Sequence, residues 1–487
     1  MQERLCVLAR AESPVLESQA IIQISGLTVS YVAGETTLRD VDLDVREGEF
    51  VLVTGASGCG KTTLARCLNG LIPHLIPARV DGDIRVAGLN PVEEEVRRMA
   101  SHIGMVFQVP EAQLFNLTVE EEIAFGCHNL GLEPVETARR VEFALGAVGL
   151  ESLRKRALHQ LSGGEKQLTA IASVLAMQPR IMVLDEPLAN VDARGVHRVL
   201  GVLQRLNRTL GMTLILIEHR THQVAEFASR VVVMDGGRIV LDGGPDILRQ
   251  ERNYLATLGV RVPGEIAETP ISSQTVASSA GETAVSVRDV HFGYKGRKVL
   301  DGVSLSLRRG EFLALVGDSG AGKTTLAHLI AGALKPASGS IRVDGTANGA
   351  QKVGLLLQSP SDQLFCDTVE EEVRFGPENF GLPVDEVVNE TLGCANLLDY
   401  RQREVQHLSR GQQQRLSLAS VLALRPEVLI LDEPTLGQDW GHLTRFMEFI
   451  KGLQGKGVTV LLITHDREVA AKYADRTVRL CDGRLVA

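Results

Sequence analysis

Several things that would direct the chain toward secretion, the bilayer or nucleic acid are missing. Cysteine is sparse and scattered: seven residues, Cys6, Cys59, Cys67, Cys127, Cys366, Cys394 and Cys481, in a chain of 487. The number is odd and no C-x-x-C occurs, which argues against both a disulfide framework and a zinc site. No uninterrupted apolar run approaches the roughly 20 residues of a membrane-spanning helix. The opening stretch, MQERLCVLARAESPVLESQA, carries charges throughout and has no apolar core for a signal peptide, so the expectation is a chain that stays in the cytosol. An excess of positive charge is also absent. The formal net charge is −9, whereas nucleic-acid binding leaves a basic footprint, so a nucleic-acid partner is not expected.

What is present is enough apolar material for large cores, 44% of the residues, and a length that suggests two to four domains. The chain also says the same thing twice. GASGCGKTT places Lys61 and GDSGAGKTT places Lys323, 262 positions apart. Gln108 and Gln358 are 250 apart, Asp185 and Asp432 are 247 apart, and His219 and His465 are 246 apart. The change in offset falls between the first two landmarks, so the first copy has extra residues there, around LIPHLIPARVDGD. Such spacing means two homologous domains, not a short-period solenoid. Between them GEIAETPISSQTVASSAGETA, Gly264 to Ala284, reads as a flexible linker. The expected division is an N-terminal extension at 1–20, a first domain at 21–263, the linker at 264–284 and a second domain at 285–487.

Within each copy, buried-type strands (FVLVTG and FLALVG, then IMVLDE and VLILDE, then TLILIEH and TVLLITH) alternate with helical stretches. That alternation predicts an α/β fold with a parallel sheet. The first strand of each copy runs into a phosphate-loop pattern, Gly55-x-x-x-x-Gly60-Lys61-Thr62 and Gly317-x-x-x-x-Gly322-Lys323-Thr324. Glycines let backbone N–H groups turn toward phosphates, the lysine reaches the terminal phosphates, and the threonine hydroxyl suits Mg²⁺. The helix that follows adds the positive end of its dipole. Two chance matches in one chain, both between strand and helix, are of the order of 1 in 1000 or less on average residue usage.

Isolated, an Asp-Glu pair after a strand is most often a solvated turn. Beside a phosphate loop, Asp185 and Asp432 are candidates for holding Mg²⁺ through water, and Glu186 and Glu433 for polarising the attacking water. His219 and His465 follow the next strand in both copies and are candidates for a γ-phosphate contact. A third motif, LSGGEKQ at Leu161–Gln167 and LSRGQQQR at Leu408–Arg415, precedes a helix each time. Its serine can cap that helix while the neighbouring N–H groups face an anion.

With this third motif the chain resembles the ATP-binding-cassette ATPases, twice, over nearly all its length. The resemblance implies two tandem P-loop NTPase domains, each with a parallel-sheet core, an antiparallel β subdomain and a helical subdomain. It implies an ATPase using ATP and Mg²⁺. In that family two cassettes close face to face, and each ATP lies between the phosphate loop of one and the signature serine of the other. One chain would therefore supply both halves of the sandwich. The first site would use Tyr31 on adenine, then Gly55, Ser57, Gly58, Gly60, Lys61, Thr62 and Thr63, with Gln108, Asp185, Glu186 and His219, closed by Ser409 and Gly411. The second would use Tyr294, then Gly317, Ser319, Gly320, Gly322, Lys323, Thr324 and Thr325, with Gln358, Asp432, Glu433 and His465, closed by Ser162, Gly163 and Gly164. The metal would fall to Thr62, Gln108 and Asp185, and to Thr324, Gln358 and Asp432. Asp192 and Asp439 match the loop that crosses the family's dimer interface. Arg410 departs from the pattern where a glycine is usual, which sets the expectation that the first site is the slower.

FQVPEAQLFNLTVEEEIAFG and LQSPSDQLFCDTVEEEVRFG repeat a further pattern. Pro110 and Pro360 suit a first helical turn, and Thr118 with Glu121, like Thr368 with Glu371, forms a capping box for the next helix. Leu114, Phe115, Leu364 and Phe365 then stand beside the glutamine as an apolar pair, either core filling or a docking surface for a partner's helix. The pattern Gln-x-Pro-x-x-Gln-Leu-Phe with Thr-Val-Glu-Glu resembles the ATPases of energy-coupling factor transporters. EHRTHQVAEFASRVVVMDGGRIVLDG, Glu218 to Gly243, is similar to the same group. That resemblance implies a peripheral place on the cytoplasmic face of the membrane. It implies two partners, a transmembrane coupling protein and a small substrate-binding membrane protein, and a vitamin or transition-metal ion as cargo. Two rival readings are the ATPase of a conventional importer and a soluble tandem cassette. Against the first, Lys323 and Glu433 are intact. Against the second, the linker is short and nearly uncharged and the cysteines are dispersed.

Overall fold

The computed structural model describes residues 20–31, 34–189, 191, 193–262, 282–294, 296–318, 320–343, 352–434 and 440–486. Ser319, Asp192, Asp439, the extension before Ala20 and nearly all of the linker lie outside the described residues, as does the side chain of Arg410. The chain forms two compact units.

The first unit opens with β1 (Ala20–Tyr31) and β2 (Thr36–Arg46), followed by β3 (Phe50–Gly55), α1 (Lys61–Leu68) and β4 (Ala78–Val86). It continues through β5 (Ile103–Val106), α2 (Val119–Asn129), α3 (Pro134–Val148), α4 (Gly163–Ala176), β6 (Ile181–Asp185) and α5 (Ala193–Leu210). It ends with β7 (Thr213–Ile217), β8 (Arg230–Asp235) and β9 (Arg238–Gly243). Strands β1, β2 and β4 make an antiparallel sheet in the order β2-β1-β4. The main sheet runs β5-β6-β7-β3-β8-β9, parallel except for β9. Every residue of β3, β6 and β7 is buried, as expected of strands covered on both faces. Alternate residues of β3 divide two cores. Phe50 and Leu52 face the helices, whereas Val51 and Val53 face α1 and the antiparallel sheet.

The second unit repeats this plan with β10 (Thr283–Tyr294), β11 (Arg297–Arg308), β12 (Phe312–Val316), α6 (Lys323–Ile330) and β13 (Ser338–Val343). Then come β14 (Val353–Leu356), α7 (Val369–Phe380), α8 (Val384–Cys394), α9 (Arg410–Leu422), β15 (Val428–Asp432) and α10 (Trp440–Gly455). Strands β16 (Thr459–Thr464), β17 (Arg476–Cys481) and β18 (Arg484–Val486) close it. Its sheets are ordered β11-β10-β13 and β14-β15-β16-β12-β17-β18. In both units the strand carrying the phosphate loop sits inside the main sheet. The loops at the carboxyl ends of its neighbours therefore converge on one edge, where an open α/β sheet binds ligands.

Candidate active site

In the first unit the segment after β3 turns into α1 at Gly60, whose φ is 104°. A Cβ there would come within 2.6 Å of Leu38, so both conformation and space require glycine. Gly322 repeats this at φ 102°. A Cβ at Gly58 or Gly320 would meet nothing within 4 Å, so the loop keeps open room on that side. Lys61 is buried, and its Nζ donates to the carbonyls of Gly55 at 2.9 Å and Ala56 at 2.8 Å. No carboxylate lies in ion-pair range of it among the described residues. A buried ammonium without a counter-ion is costly, and a phosphate oxygen is the partner this loop is shaped to admit.

Thr62, the next residue, donates its hydroxyl to Asp185 Oδ1 at 3.2 Å. Thr63 is buried and shares a 3.0 Å hydrogen bond with the hydroxyl of the half-buried Tyr31. Burial pushes the Asp185 carboxyl up; the Thr62 hydroxyl opposes this and the charge of Glu186 adds to it. Glu186 follows with φ 48°, a left-handed backbone unusual for a glutamate, and its N–H is held by Ile217 O at 2.9 Å. That turn swings the side chain off the sheet edge. Gln108 Nε2 donates to Glu186 Oε2 at 2.6 Å, and His219 Nε2 lies 2.7 Å from Glu186 Oε1. The residues expected to act on water are therefore joined as Gln108–Glu186–His219.

The second unit assembles the same residue types differently. Lys323 Nζ donates to Gly317 O at 2.7 Å and Asp318 O at 3.1 Å, and lies 3.7 Å from Glu433 Oε1. Glu433 has the same left-handed φ of 48°. Its Oε2 meets His465 Nδ1 at 2.9 Å and accepts the His465 backbone N–H at 3.2 Å. Gln358 is not brought into this cluster and stands exposed beyond β14. Tyr294 differs from Tyr31. It is 50% exposed, and its ring meets Phe292 edge to face at 4.9 Å. Burial pushes Asp432 up, opposed by the Thr324 hydroxyl. Asp432 Oδ1 is buried with no hydrogen-bond partner. An orphaned carboxylate oxygen beside a threonine hydroxyl is a hard, all-oxygen donor set and fits Mg²⁺.

The two signature serines cap α4 and α9. Ser162 forms a capping box with Glu165, and Ser409 forms one with Gln412. Gly163 and Gly164 open α4, as Gly411 follows Arg410 in the first turn of α9.

The segment after each glutamine is built as the spacing implies, up to one point. Pro110 starts a short helix (Pro110–Gln113), Pro360 starts a 3-10 turn (Pro360–Asp362), and Thr118 and Thr368 form capping boxes. The apolar pairs, however, are split. Leu114 and Leu364 pack against the helical cores, whereas Phe115 and Phe365 are 63% and 65% exposed. Of the two alternatives, core filling and docking, the leucines follow the first: each points at its own domain, because the short turn ends there and consecutive side chains diverge. The partners of the phenylalanines are residues the sequence reading missed. Phe115 meets Phe125 edge to face at 4.6 Å, and Phe365 meets Phe375 at 4.8 Å. Also missed were Glu122 and Glu372, one position past each capping glutamate. Glu122 Oε2 accepts the N–H groups of Phe115 (3.0 Å) and Asn116 (2.9 Å) and the Asn116 side chain (3.0 Å). Glu372 Oε2 accepts the N–H groups of Phe365 and Cys366, each at 2.9 Å. Their recurrence in the repeated Glu-Glu-Glu run was the available signal.

The family described as ABC transporter matches residues 38–189 and 300–436, more than half of the chain. This protein belongs to the ABC transporter family. It is an ABC ATPase with two such domains, and the family's activity uses ATP with Mg²⁺. A Methanosarcina acetivorans protein named "Putative ABC transporter ATP-binding protein" is 42% identical over 97% of this chain and 86% of its own. A protein of the same name from Methanosarcina mazei is 41% identical over 96% of this chain and 89% of its own. Among solved structures, cbiO1 from Clostridium perfringens, described as part of the ABC transporter complex cbiONQ, is similar at 31% identity. It covers 50% of this chain and 96% of its own, with a TM-score of 0.45. Among the described residues of this ABC ATPase, no helix is long and apolar enough to cross a membrane.

Proposed function

We propose that this ABC ATPase is the energy-coupling subunit of a membrane importer of the energy-coupling factor type, carrying a vitamin or a transition-metal ion. The observation that carries the reading is the repeated Gln-x-Pro-x-x-Gln-Leu-Phe segment. Each copy ends in a solvent-facing pair of phenylalanines clamped by a buried glutamate, just after Gln108 or Gln358. Exposed aromatic pairs at matching places in two domains suit partners that are docked twice. In the first unit a cavity of about 750 Å³ beside Phe125, lined also by Asn116, His128 and Lys155, offers room for a helix. The partners in this reading are a transmembrane coupling protein and a small substrate-binding membrane protein, with the ATPase held peripherally on the cytoplasmic face.

The domain limits follow the repeat, 21–263 and 285–487, with 264–284 as linker. The two domains close on each other so that Ser409 and Gly411 complete the first site and Ser162, Gly163 and Gly164 the second. Lys61 and Lys323 take the terminal phosphates. Thr62, Gln108 and Asp185, and Thr324, Gln358 and Asp432, would hold Mg²⁺, which would neutralise phosphate charge. Glu186 and Glu433 accept a proton from the attacking water, and His219 and His465 hold those carboxylates in place and face the γ-phosphate. The test is purification of the full chain from detergent-solubilised membranes, with identification of its companions and their bound ligand. A transmembrane protein plus a small ligand-carrying membrane protein supports the reading. A conventional permease, or no membrane companion, refutes it.

A further inference from the structure

In the second unit the helices α8, α9 and α10 leave a crevice between them. It has a volume of about 370 Å³, at the lower end of the roughly 300–1,000 Å³ usual for small-molecule pockets. One face of α9 supplies Leu418 and Leu422, and one face of α10 supplies Phe446 and Phe449. Two cations stand among these apolar side chains, Arg415 on α9 and Arg445 on α10. Among the described residues no aspartate or glutamate lines the crevice, and neither guanidinium has a hydrogen-bond or ion-pair partner. Of the residues assigned to nucleotide, only Gly411 reaches its wall.

The first unit closes the same place. The offset of 247 that relates Asp185 to Asp432 also relates the helices here. Arg415 is matched by Leu168, which is 1% exposed and part of the helical core. Phe446 and Phe449 are matched by Val199 and Val202, buried in that same core. Arg445 is matched by Arg198, whose Nη2 donates to the Gly149 carbonyl at 2.6 Å. His442, also in the crevice wall, is matched by Gly195. A Cβ on Gly164 would lie 3.5 Å from Gly195 Cα, so α4 and α5 meet there at their backbones. A Cβ on Gly411 would meet nothing within 4 Å. A histidine in the glycine's place keeps α9 and α10 from closing in the same way. The second copy thus carries a cation where the first packs a leucine, with open space beside it.

We propose that this crevice binds a small amphipathic acid, its carboxylate taken by Arg415 and Arg445 and its apolar body laid against Leu418, Leu422, Phe446 and Phe449. Snorkelling to water would satisfy one long cationic side chain. It does not account for a second cation lining the same crevice, where like charges repel and an anion between them relieves the repulsion. The planar fork of arginine matches a carboxylate, and apolar surroundings strengthen the charged hydrogen bonds. The apolar walls give the body of the ligand surface to bury. An acid therefore fits both halves of the lining, whereas an alcohol fits one and an amine is repelled.

The experiment titrates octanoate into the full chain by isothermal titration calorimetry, with Mg·ADP at saturation so that the phosphate loops are filled. Octanol and octylamine are the comparators. The expected result is saturable binding of one octanoate per chain, with both comparators weaker by about tenfold or more, the loss of a charged hydrogen bond. Arg415→Leu, which installs the first unit's residue, and Arg445→Gln should each weaken octanoate by a similar factor, with folding checked by thermal melting. A second measurement uses Cys394, an exposed thiol in the crevice wall. Octanoate at ten times its Kd should slow iodoacetamide labelling of Cys394 about tenfold by mass action, and leave Cys366 unaffected. If Arg415→Leu does not fold, Arg445→Gln and the Cys394 labelling decide. No saturable octanoate binding, octanol or octylamine binding as tightly as octanoate, or unchanged affinity in a folded Arg445→Gln variant would each overturn the proposal. So would a Cys394 that resists labelling in the ligand-free chain, since that result assigns the crevice to another stretch of protein.

Discussion

Replacing Glu122 by alanine removes the acceptor on which the Gln-Leu-Phe segment closes. Glu122 is 3% exposed, and one of its oxygens takes three hydrogen bonds, two from backbone N–H groups and one from the Asn116 side chain. The side-chain donor can turn to water; the two backbone donors are fixed by the turn. Leaving them unpaired costs about 1–3 kcal/mol each, so Glu122→Ala should destabilise the first domain by about 3 kcal/mol. For a domain of this size that corresponds to roughly 6–12 °C in Tm. Glu122→Gln keeps an oxygen acceptor but loses the charge, and should cost about 1 kcal/mol. Glu372 offers an internal comparison. It accepts two backbone N–H groups, and the further side-chain partner is the weakly donating thiol of Cys366, which stands where the first domain has Asn116. Glu372→Ala should therefore cost the second domain no more than Glu122→Ala costs the first. Differential scanning calorimetry of the full chain, with the two domain transitions assigned by these variants, reads all three values. A shift below about 2 °C for Glu122→Ala, or equal shifts for Ala and Gln, would refute the assignment of this carboxylate as the clamp of the segment.

Four further outcomes follow from the same geometry. Glu186→Gln combined with Glu433→Gln should retain ATP binding in a fluorescence titration and lose nearly all turnover, since the phosphate loops are untouched; near-parental hydrolysis would remove both glutamates from catalysis. Phe115→Ser with Phe125→Ser should keep the fold and ATP affinity, Phe115 being 63% and Phe125 38% exposed, and weaken co-purification with the membrane partners; undiminished transport would dismiss the docking surface. Glu433→Gln alone should reduce ATPase activity more than Glu186→Gln alone, with Arg410→Gly narrowing the gap. Equal losses, or the opposite order, in rates measured with the membrane partners present would exclude a slower first site. Lastly, Glu370 is held down at about 2, first by its hydrogen bonds to Arg401 and with help from Arg374. A depressed carboxylate adds stability that is fully present above its ordinary value and lost as pH falls toward the folded one. The second domain should thus lose this contribution between about 4.5 and about 2, and Glu370→Gln should flatten that part of the acid-unfolding curve.

What could be read from the chain was local in origin. The phosphate loops, the Asp-Glu pairs, the serine caps of α4 and α9 and the threonine capping boxes are all specified by residues within a few positions of one another. Their geometry follows from spacing once strand and helix are known. The duplication and the α/β alternation were legible for the same reason, since periodicity survives without contacts.

Tertiary packing decided which way individual side chains face and which donors they meet. Leu114 and Phe115 are adjacent and equally apolar, yet one enters the helical core and the other stays in solvent beside Phe125. Tyr31 and Tyr294 occupy matching places, yet only Tyr31 is bonded to a loop threonine. Glu122, in a charged run, and Glu218, after a strand, are both buried. Each carboxylate is held by backbone donors that no residue type announces. The same holds for Glu186 and Glu433. Sequence placed both at the same point of the same motif, but the residue that satisfies the neighbouring histidine's N–H, Glu218 in one unit and Glu433 itself in the other, is settled only when strands more than 30 residues apart in the chain come side by side.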